Sequence, residues 1–357
     1  MDNKLRNTGD STYDNLKVVT GRNSGSFISS TVNTEKCLLR MIKENLKLCI
    51  VHYPGFPRQD GKEAVVTGGS RGIGLEIVHN LLQYGYSIVI GSSSSEESRS
   101  TLKQSLLKKY PRCSVEVWHL DLASMKSVKA FAEQYLSTKT ACHLLVNNAG
   151  IMFVKQEKTV DGYEKHFSVN YLGHCLLTQL LLPILAKTGK KENNSRIVNC
   201  TSCIHFVGSK DVNNFQNQKY YSKYKAYIDS KLAQVMFTYS LQAYLERKNL
   251  SVNVNCVHPG VVDTDLMTSV LLIPQLGSVF FKSAQEGAQT ATYAALSPEM
   301  ERIGGKYLEE CTTVASSKIS EDKQLQLDLW KRTWKVLQPW TNNNGHSLMN
   351  TSHLSIG

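Results

Sequence analysis

The run Thr67-Gly68-Gly69-Ser70-Arg71-Gly72-Ile73-Gly74 joins an apolar stretch at 62–67 (KEAVVT) to an amphipathic stretch at 73–84. The first reads as a short buried strand and the second as a helix. A turn from strand straight into helix needs backbone that no Cβ obstructs. Gly68 permits the tight turn, and Gly72 and Gly74 let backbone, ligand and helix approach closely. The helix start then offers unpaired N–H groups and the positive end of its dipole to an anion. The glycine spacing is G-x-x-x-G-x-G rather than G-x-G-x-x-G, so the strand–turn–helix context is what makes a pyrophosphate the expected ligand.

The alternation continues down the chain. Residues 87–91 (SIVIG), 114–119 (SVEVWH), 142–147 (CHLLVN), 196–199 (RIVN) and 252–257 (VNVNCV) read as short apolar strands, with helices at 102–110 and 125–136 between them. Apolar, non-alternating strands separated by helices build a parallel sheet covered on both faces. The predicted class is α/β, with a single doubly wound parallel sheet.

Among 357 residues, 41% are hydrophobic and 20% charged, which excludes collagen-like, low-complexity and wholly disordered chains. Nine cysteines are too sparse for a disulfide scaffold and odd in number, so a reducing, intracellular setting is expected. The net charge of +11 favours an anionic partner, whether a phosphorylated ligand, a membrane surface or nucleic acid. There is no zinc-type Cys/His spacing and no RNA-binding aromatic signature, so neither a metal nor nucleic acid is expected. No run reaches about 18 uncharged apolar residues, the length of an ordinary membrane-spanning helix. Residues 1–57 read as a polar leader without the apolar region of a secretory signal. Within it, 37–51 (CLLRMIKENLKLCIV) sets Leu38, Met41, Ile42 and Cys49 against Arg40, Lys43, Glu44 and Lys47. Two readings stay open for this stretch: a basic amphipathic helix on a membrane, or a surface helix packed on the main domain. Residues 52–58 (HYPGFPR) read as a linker, 58–340 as the domain, and 341–357 as a disordered tail.

Seven motifs in order give the chain a family likeness: TGGSRGIG (67–74), DLAS (121–124), NNAG (147–150), VNYLGH (169–174), IVNCTS (197–202), YIDSK (227–231) and HPGVVDTD (258–265). Over about 61–340 the chain resembles the short-chain dehydrogenase/reductase family. The resemblance implies a Rossmann-like fold and a nicotinamide cofactor lying along Thr67, Gly68, Ser70, Arg71, Gly72, Ile73, Gly74, Ser92, Ser93, Asp121, Leu122, Asn148, Ala149, Gly150, Tyr227, Lys231, Pro259, Gly260, Val262 and Thr264. By the same resemblance Asp121 meets the adenine, Asn147 supports the sheet beside the cofactor, and Thr264 holds the nicotinamide carboxamide. An acidic residue ending the second strand would bond the ribose of NAD and repel a 2′-phosphate. Here Gly91 is followed by Ser92–Ser95 with no acid before Glu96, and Arg71 stands in the glycine turn. A guanidinium suits a phosphate, so NADP(H) is favoured, with NAD(H) the alternative.

A free tyrosine titrates near pH 10, too high for a base at neutral pH, and a nearby ammonium lowers it. Tyr-x-x-x-Lys supplies that pairing, because residues i and i+4 share a helix face. Two such pairs occur, Tyr221/Lys225 and Tyr227/Lys231. Only the second has Ser before the lysine and Leu-Ala after it, as the family does, so Tyr227 and Lys231 are the expected catalytic pair, with Tyr221 and Lys225 solvated. The resemblance adds Ser202, steadying the substrate oxygen, with Thr201 its local competitor, and Asn170, linking Lys231 to solvent through a water. Cys200 and Cys203 are expected to be core or lining residues.

Twenty-four residues separate Ser202 from Tyr227, and the insert at 216–220 together with the SKLA helix start resembles the retinol-dehydrogenase-like branch. The stretches 161–174, 229–242 and 277–308 resemble members that act on polyprenols and dolichal. Residues 266–281 (LMTSVLLIPQLGSVFF) carry no charge, which suits a lipid-sized pocket, a membrane contact, a helix pair buried against the core or a dimer contact. The expected activity is an NAD(P)-dependent alcohol dehydrogenase or carbonyl reductase acting on a lipophilic polyprenol- or dolichal-type isoprenoid. Retinoids or steroids are the alternative, and a non-catalytic nucleotide-binding regulator is the contrasting class. The presence of Asn170, Ser202, Tyr227 and Lys231 together favours the enzyme. The resemblance implies the surface of the endoplasmic reticulum or a lipid droplet as the location, with the cytoplasm the alternative.

Overall fold

The strand before the glycine turn is β1 (Glu63–Thr67), whose last four residues are all buried. In the computed structural model, which describes residues 55–211, 221–262 and 282–341, it stands near the middle of an eight-stranded sheet. The order is β3-β2-β1-β4-β5-β6-β7-β8. The other strands are β2 (Ser87–Ser92), β3 (Val115–His119), β4 (Leu144–Asn147), β5 (Ser195–Cys200), β6 (Val252–His258), β7 (Tyr307–Glu309) and β8 (Thr312–Val314). β1 pairs in parallel with β2 on one side and β4 on the other, so the winding reverses there and opens a crevice at the carboxyl ends of the strands.

One departure from the expected all-parallel sheet lies at its edge. β8 runs antiparallel to β7, with Glu309 opposite Thr312. The two linking residues, Glu310 and Cys311, have φ of 46° and 58°. Two left-handed residues in succession form the hairpin turn that matches strand twist. Such a turn usually carries Asn-Gly or Asp-Gly, and Glu-Cys gives no such signal.

Helices α1 (Gly72–Gln83), α2 (Glu96–Lys109), α3 (Met125–Thr138), α4 (Lys165–Thr188), α5 (Lys223–Arg247), α6 (Ala284–Leu296) and α7 (Lys323–Thr341) cover both faces. Alternation along the strands separates two cores. Ala64 and Val66 of β1 pack with Ile77, Leu81 and Ala291 of α1 and α6. Val65 packs on the opposite face with Phe131, Leu176, Met236 and Trp330 of α3, α4, α5 and α7. α4 is apolar and long enough to cross a membrane, but 78% of that apolar stretch is buried in this core. Against it and α5 lies α7: Phe237 stacks on Trp330 at 5.9 Å, and the Tyr171 hydroxyl meets Thr333 Oγ1 at 2.8 Å.

α2 begins at Glu96 rather than 102, because Ser95 caps it through Ser98 N and two acids fill its first turn. α7 runs through Thr341, one residue into the expected tail. The leader stretch 37–51, the insert at 216–220 and the uncharged run 266–281 lie outside the described residues.

Candidate active site

Gly68 and Gly72 take φ of 65° and 53°, the left-handed region that glycine enters without strain. Gly74 is where close approach matters: a Cβ there would lie 2.2 Å from Gly68 O and 2.4 Å from Asn148 Nδ2. Asn148 Nδ2 donates to Thr67 O at 3.0 Å and Gly68 O at 3.3 Å, tying β4's end to the turn. Thr67 Oγ1 accepts from the amides of Asn148 and Ala149 at 3.0 and 3.1 Å. Arg71, at the N-cap of α1, makes no side-chain cap bond, and the first amides of a helix have no partner within it. An open glycine cradle under an uncapped helix fits a pyrophosphate.

The other expected cofactor contacts surround this cradle at the carboxyl ends of the strands. Ser92 is buried and its Oγ donates to Ser70 Oγ at 3.2 Å, while Ser93 and Arg71 are exposed. Asp121 and Leu122 follow β3, and Asp121 Oδ1 accepts from Ala123 N at 2.9 Å, an Asx turn that starts α3. Gly150 lies against the catalytic candidates, where a Cβ would be 3.3 Å from Asn170 Oδ1 and 3.6 Å from Lys231 Nζ. After β6 come Pro259, then Gly260 with φ of 86°, then Val262. Both Val262 and Ile73 approach Gly287 of α6, which sets that loop beside the start of α1. Asn147 Nδ2 donates to Asn199 Oδ1 at 2.9 Å and Thr178 Oγ1 at 3.0 Å, binding β4 to β5 and α4. Thr264 lies outside the described residues.

Tyr227 and Lys231 stand one turn apart on α5, with Lys231 Nζ 5.9 Å from the centre of the tyrosine ring. Burial pushes the Tyr227 phenol above its ordinary value, and the Ser202 side chain offsets part of that. Lys231 Nζ donates to Cys200 O at 3.0 Å and Gln234 Oε1 at 2.9 Å. Burial pulls its pKa down to about 8. Thr201, the competitor to Ser202, points elsewhere, its Oγ1 donating to Lys231 O at 3.0 Å. Cys200 and Cys203 are buried.

Asn170 sits on a π-helical turn at Ser168–Leu172 within α4, a local widening of the kind found at functional sites. Its side chain accepts from Ile151 N at 2.8 Å and donates to Ile151 O at 3.0 Å and Ser230 Oγ at 2.9 Å. It therefore braces the β4 loop against α5. Tyr221 is not solvated as expected: it is half-buried, and its hydroxyl lies 3.3 Å from Glu164 Oε1 and from His166 Nδ1. It is bonded away from the Ser202 group, whereas Tyr227 is in it.

These motifs, the sheet order and the glycine cradle agree with what known proteins share with this chain. Residues 62–272 match the short chain dehydrogenase family. The chain belongs to that family. A polyprenol dehydrogenase of Danio rerio is 42% identical over 285 residues, covering 78% of this chain and 88% of that protein. Retinol dehydrogenase 12 of Mus musculus is 37% identical over 287 residues, covering 78% and 86%. A short chain dehydrogenase of Burkholderia cenocepacia solved with NADP superposes with a TM-score of 0.56 at 25% identity, covering 70% of this chain and 96% of that one. The protein is a short-chain dehydrogenase oxidoreductase, and its glycine cradle suits the nicotinamide dinucleotide such enzymes use.

Two buried clusters of this short-chain dehydrogenase escaped sequence reasoning. Glu164 accepts from His166 N at 3.0 Å and Phe167 N at 2.7 Å, capping α4, and its Oε1 meets His166 Nδ1 at 2.8 Å. His166 Nε2 in turn accepts from Val154 N at 3.1 Å, which pins the residue beside Phe153. Phe153, with φ of 53°, presents its ring to Tyr227 at 5.1 Å and to Tyr224 at 4.8 Å. His174 forms the second cluster with Thr67 and Asn170. The visible signal was polar side chains, Glu164, His166 and His174, inside the run 161–174, placed where helix periodicity turns them inward.

Proposed function

We propose that this protein interconverts a lipophilic alcohol and its carbonyl compound, with polyprenol- or dolichal-type isoprenoids as the substrate class. One arrangement carries the reading: a buried Tyr227 phenol whose ionisation the Ser202 side chain favours, with the Lys231 ammonium one helical turn away, beside the glycine cradle. Bound nicotinamide supplies or accepts the hydride. In the reducing direction the Tyr227 phenol, kept neutral by burial, donates its proton to the carbonyl oxygen. Ser202 donates to the same oxygen and steadies its developing charge. In the oxidising direction Tyr227 must take the alcohol proton, and the Lys231 charge favours the phenolate that does so. Asn170 keeps the Ile151 loop registered against α5. The role of Thr264 at the carboxamide follows the family motif.

The substrate class rests on the likeness to the polyprenol dehydrogenase and on Phe153, whose ring meets those of Tyr227 and Tyr224 and offers an apolar wall for a hydrocarbon chain. A retinoid is the second reading, supported by the retinol dehydrogenase likeness. NADP(H) is the proposed cofactor, because Ser92 replaces the acid that would repel a 2′-phosphate and Arg71 stands in the turn. The test is turnover of an isoprenoid aldehyde, retinal and a steroid ketone with NADPH and NADH separately, alongside Tyr227→Phe. The variant is expected to lose at least about 100-fold in kcat while still binding cofactor. Near-normal turnover by Tyr227→Phe sinks the assignment, and a preference for NADH sinks the cofactor reading. Stretches 37–51 and 266–281 are proposed to hold the protein against an anionic membrane, each basic residue near the surface contributing about 1 kcal/mol. Flotation with anionic vesicles at low salt is the check; a protein left unbound excludes this location.

A further inference from the structure

His174 is only 3% exposed and lies between the strand that leads into the glycine turn and the segment carrying Asn170. Its Nδ1 is 3.2 Å from Asn170 O, and its Nε2 is 2.9 Å from Thr67 Oγ1. A carbonyl oxygen can only accept, so Nδ1 carries the hydrogen. Burial, with Lys231 nearby, pushes the imidazole down to about 3, so the ring is neutral and Nε2 is bare. Thr67 Oγ1 must therefore donate its one proton to Nε2. Val146 O, 3.4 Å from the same hydroxyl, is left the poorer acceptor. The lone pairs of Thr67 Oγ1 receive the amides of Asn148 and Ala149. Every bond direction in the cluster is fixed, and no member can turn without stranding a buried polar group.

The chain of bonds does not stop at Asn170. The Asn170 side chain donates to Ser230 Oγ at 2.9 Å, and Ser230 Oγ donates to Tyr227 O at 2.7 Å. Ser230 directly precedes Lys231. One path thus runs from the mouth of the glycine turn through His174 to the helix turn that holds both Tyr227 and Lys231. We infer that His174 is a positioning residue that fixes the cofactor turn relative to the Tyr227–Lys231 helix, so that hydride and proton transfer share one geometry. This rests on the proposed catalytic roles of Tyr227 and Lys231. An ordinary buried histidine would be worth only folding stability, and the two possibilities separate by experiment.

His174→Phe keeps a flat ring and deletes both bonds. Thr67→Val deletes the proton given to Nε2, and Thr67→Ser retains it. NADPH affinity is read from its fluorescence on binding, and kcat from reduction of an isoprenoid aldehyde. His174→Phe is expected to weaken NADPH binding by about fivefold, the scale of one hydrogen bond. It is expected to lower kcat by about tenfold or more, since small misplacements of reacting groups are costly. Thr67→Val should do the same, Thr67→Ser should restore both, and the double variant His174→Phe/Thr67→Val should be no worse than the poorer single one. A lower melting temperature with unchanged NADPH affinity and kcat, or additive losses in the double variant, overturns the inference. If His174→Phe does not fold, the Thr67→Val and Thr67→Ser pair decides: two normal affinities overturn it. Affinity is measured without turnover, so a failure of the Tyr227 assignment is seen separately.

Discussion

Lys231 is held with its charge out of water, and that has a thermodynamic signature free of any substrate. Its pKa falls from 10.5 to about 8 because burial penalises the ammonium. Each tenfold loss of proton affinity is worth about 1.4 kcal/mol, so the protonated side chain lowers stability by about 3 kcal/mol relative to its neutral form. The sign follows from linkage. Between about pH 8 and 10.5 the unfolded chain still holds the proton and the folded one has released it, so stability rises with pH in that window. Below about pH 8 both states are protonated and the penalty stands in full. Lys231→Met lacks the group in both states, so ionisations common to the two proteins cancel. Urea unfolding of the cofactor-free proteins at pH 7.5, 9 and 10.5 gives the comparison. Wild-type stability minus that of Lys231→Met is expected to rise by about 2–3 kcal/mol from pH 7.5 to 10.5. The variant loses the bonds to Cys200 O and Gln234 Oε1, which offsets the curve but does not tilt it. A flat difference across that range would refute the claim that burial of Lys231 governs its charge.

Gly74→Ala forces a Cβ onto Gly68 O and Asn148 Nδ2, so overpacking of about 1–3 kcal/mol adds to strained Asn148 bonds. Scanning calorimetry should show a fall of several degrees, together with loss of NADPH affinity; a variant that binds normally contradicts the close-approach role. Trp334→Ala empties a buried site between α7 and Phe237 and is expected to lose about 3–5 kcal/mol in urea unfolding, with NADPH affinity unchanged. An unaltered unfolding midpoint would mean that α7 adds little to the core.

Local chemistry made much of this legible. The Lys62–Thr67 apolar run, the glycine turn and α1 could be read because strand, turn and helix each need distinct residue types over a short span. The neighbours Ser230 and Leu232 set Tyr227 apart from Tyr221 in the sequence; that Tyr221 lies against Glu164 and His166 could not be read there, because those residues are more than 50 positions away. The β7–β8 hairpin was illegible because three-residue strands carry almost no periodicity and Glu310-Cys311 is an unusual left-handed pair. The early start of α2 was readable in hindsight from Ser95-Glu96-Glu97, a cap followed by acids. His174 showed only its polarity inside an apolar run, since the partners that define its role lie 107 residues back at Thr67 and on the π turn at Asn170. Long-range hydrogen bonds leave no pattern in their own neighbourhood.

α7 has a consequence for how the chain reaches its native state. Synthesis delivers α3, α4 and α5 well before Lys323–Thr341, yet the Tyr171 hydroxyl and the Phe237 ring both meet side chains of that helix, Thr333, Trp330 and Trp334. Until that helix docks, a broad apolar face of α4 and α5 stays open, and contacts so distant in sequence are among the slowest to form. Docking of α7 is therefore expected to come late in folding, after the helices it covers have formed. A substitution that empties the Trp330 or Trp334 site is expected to lower the yield of folded protein before it alters turnover.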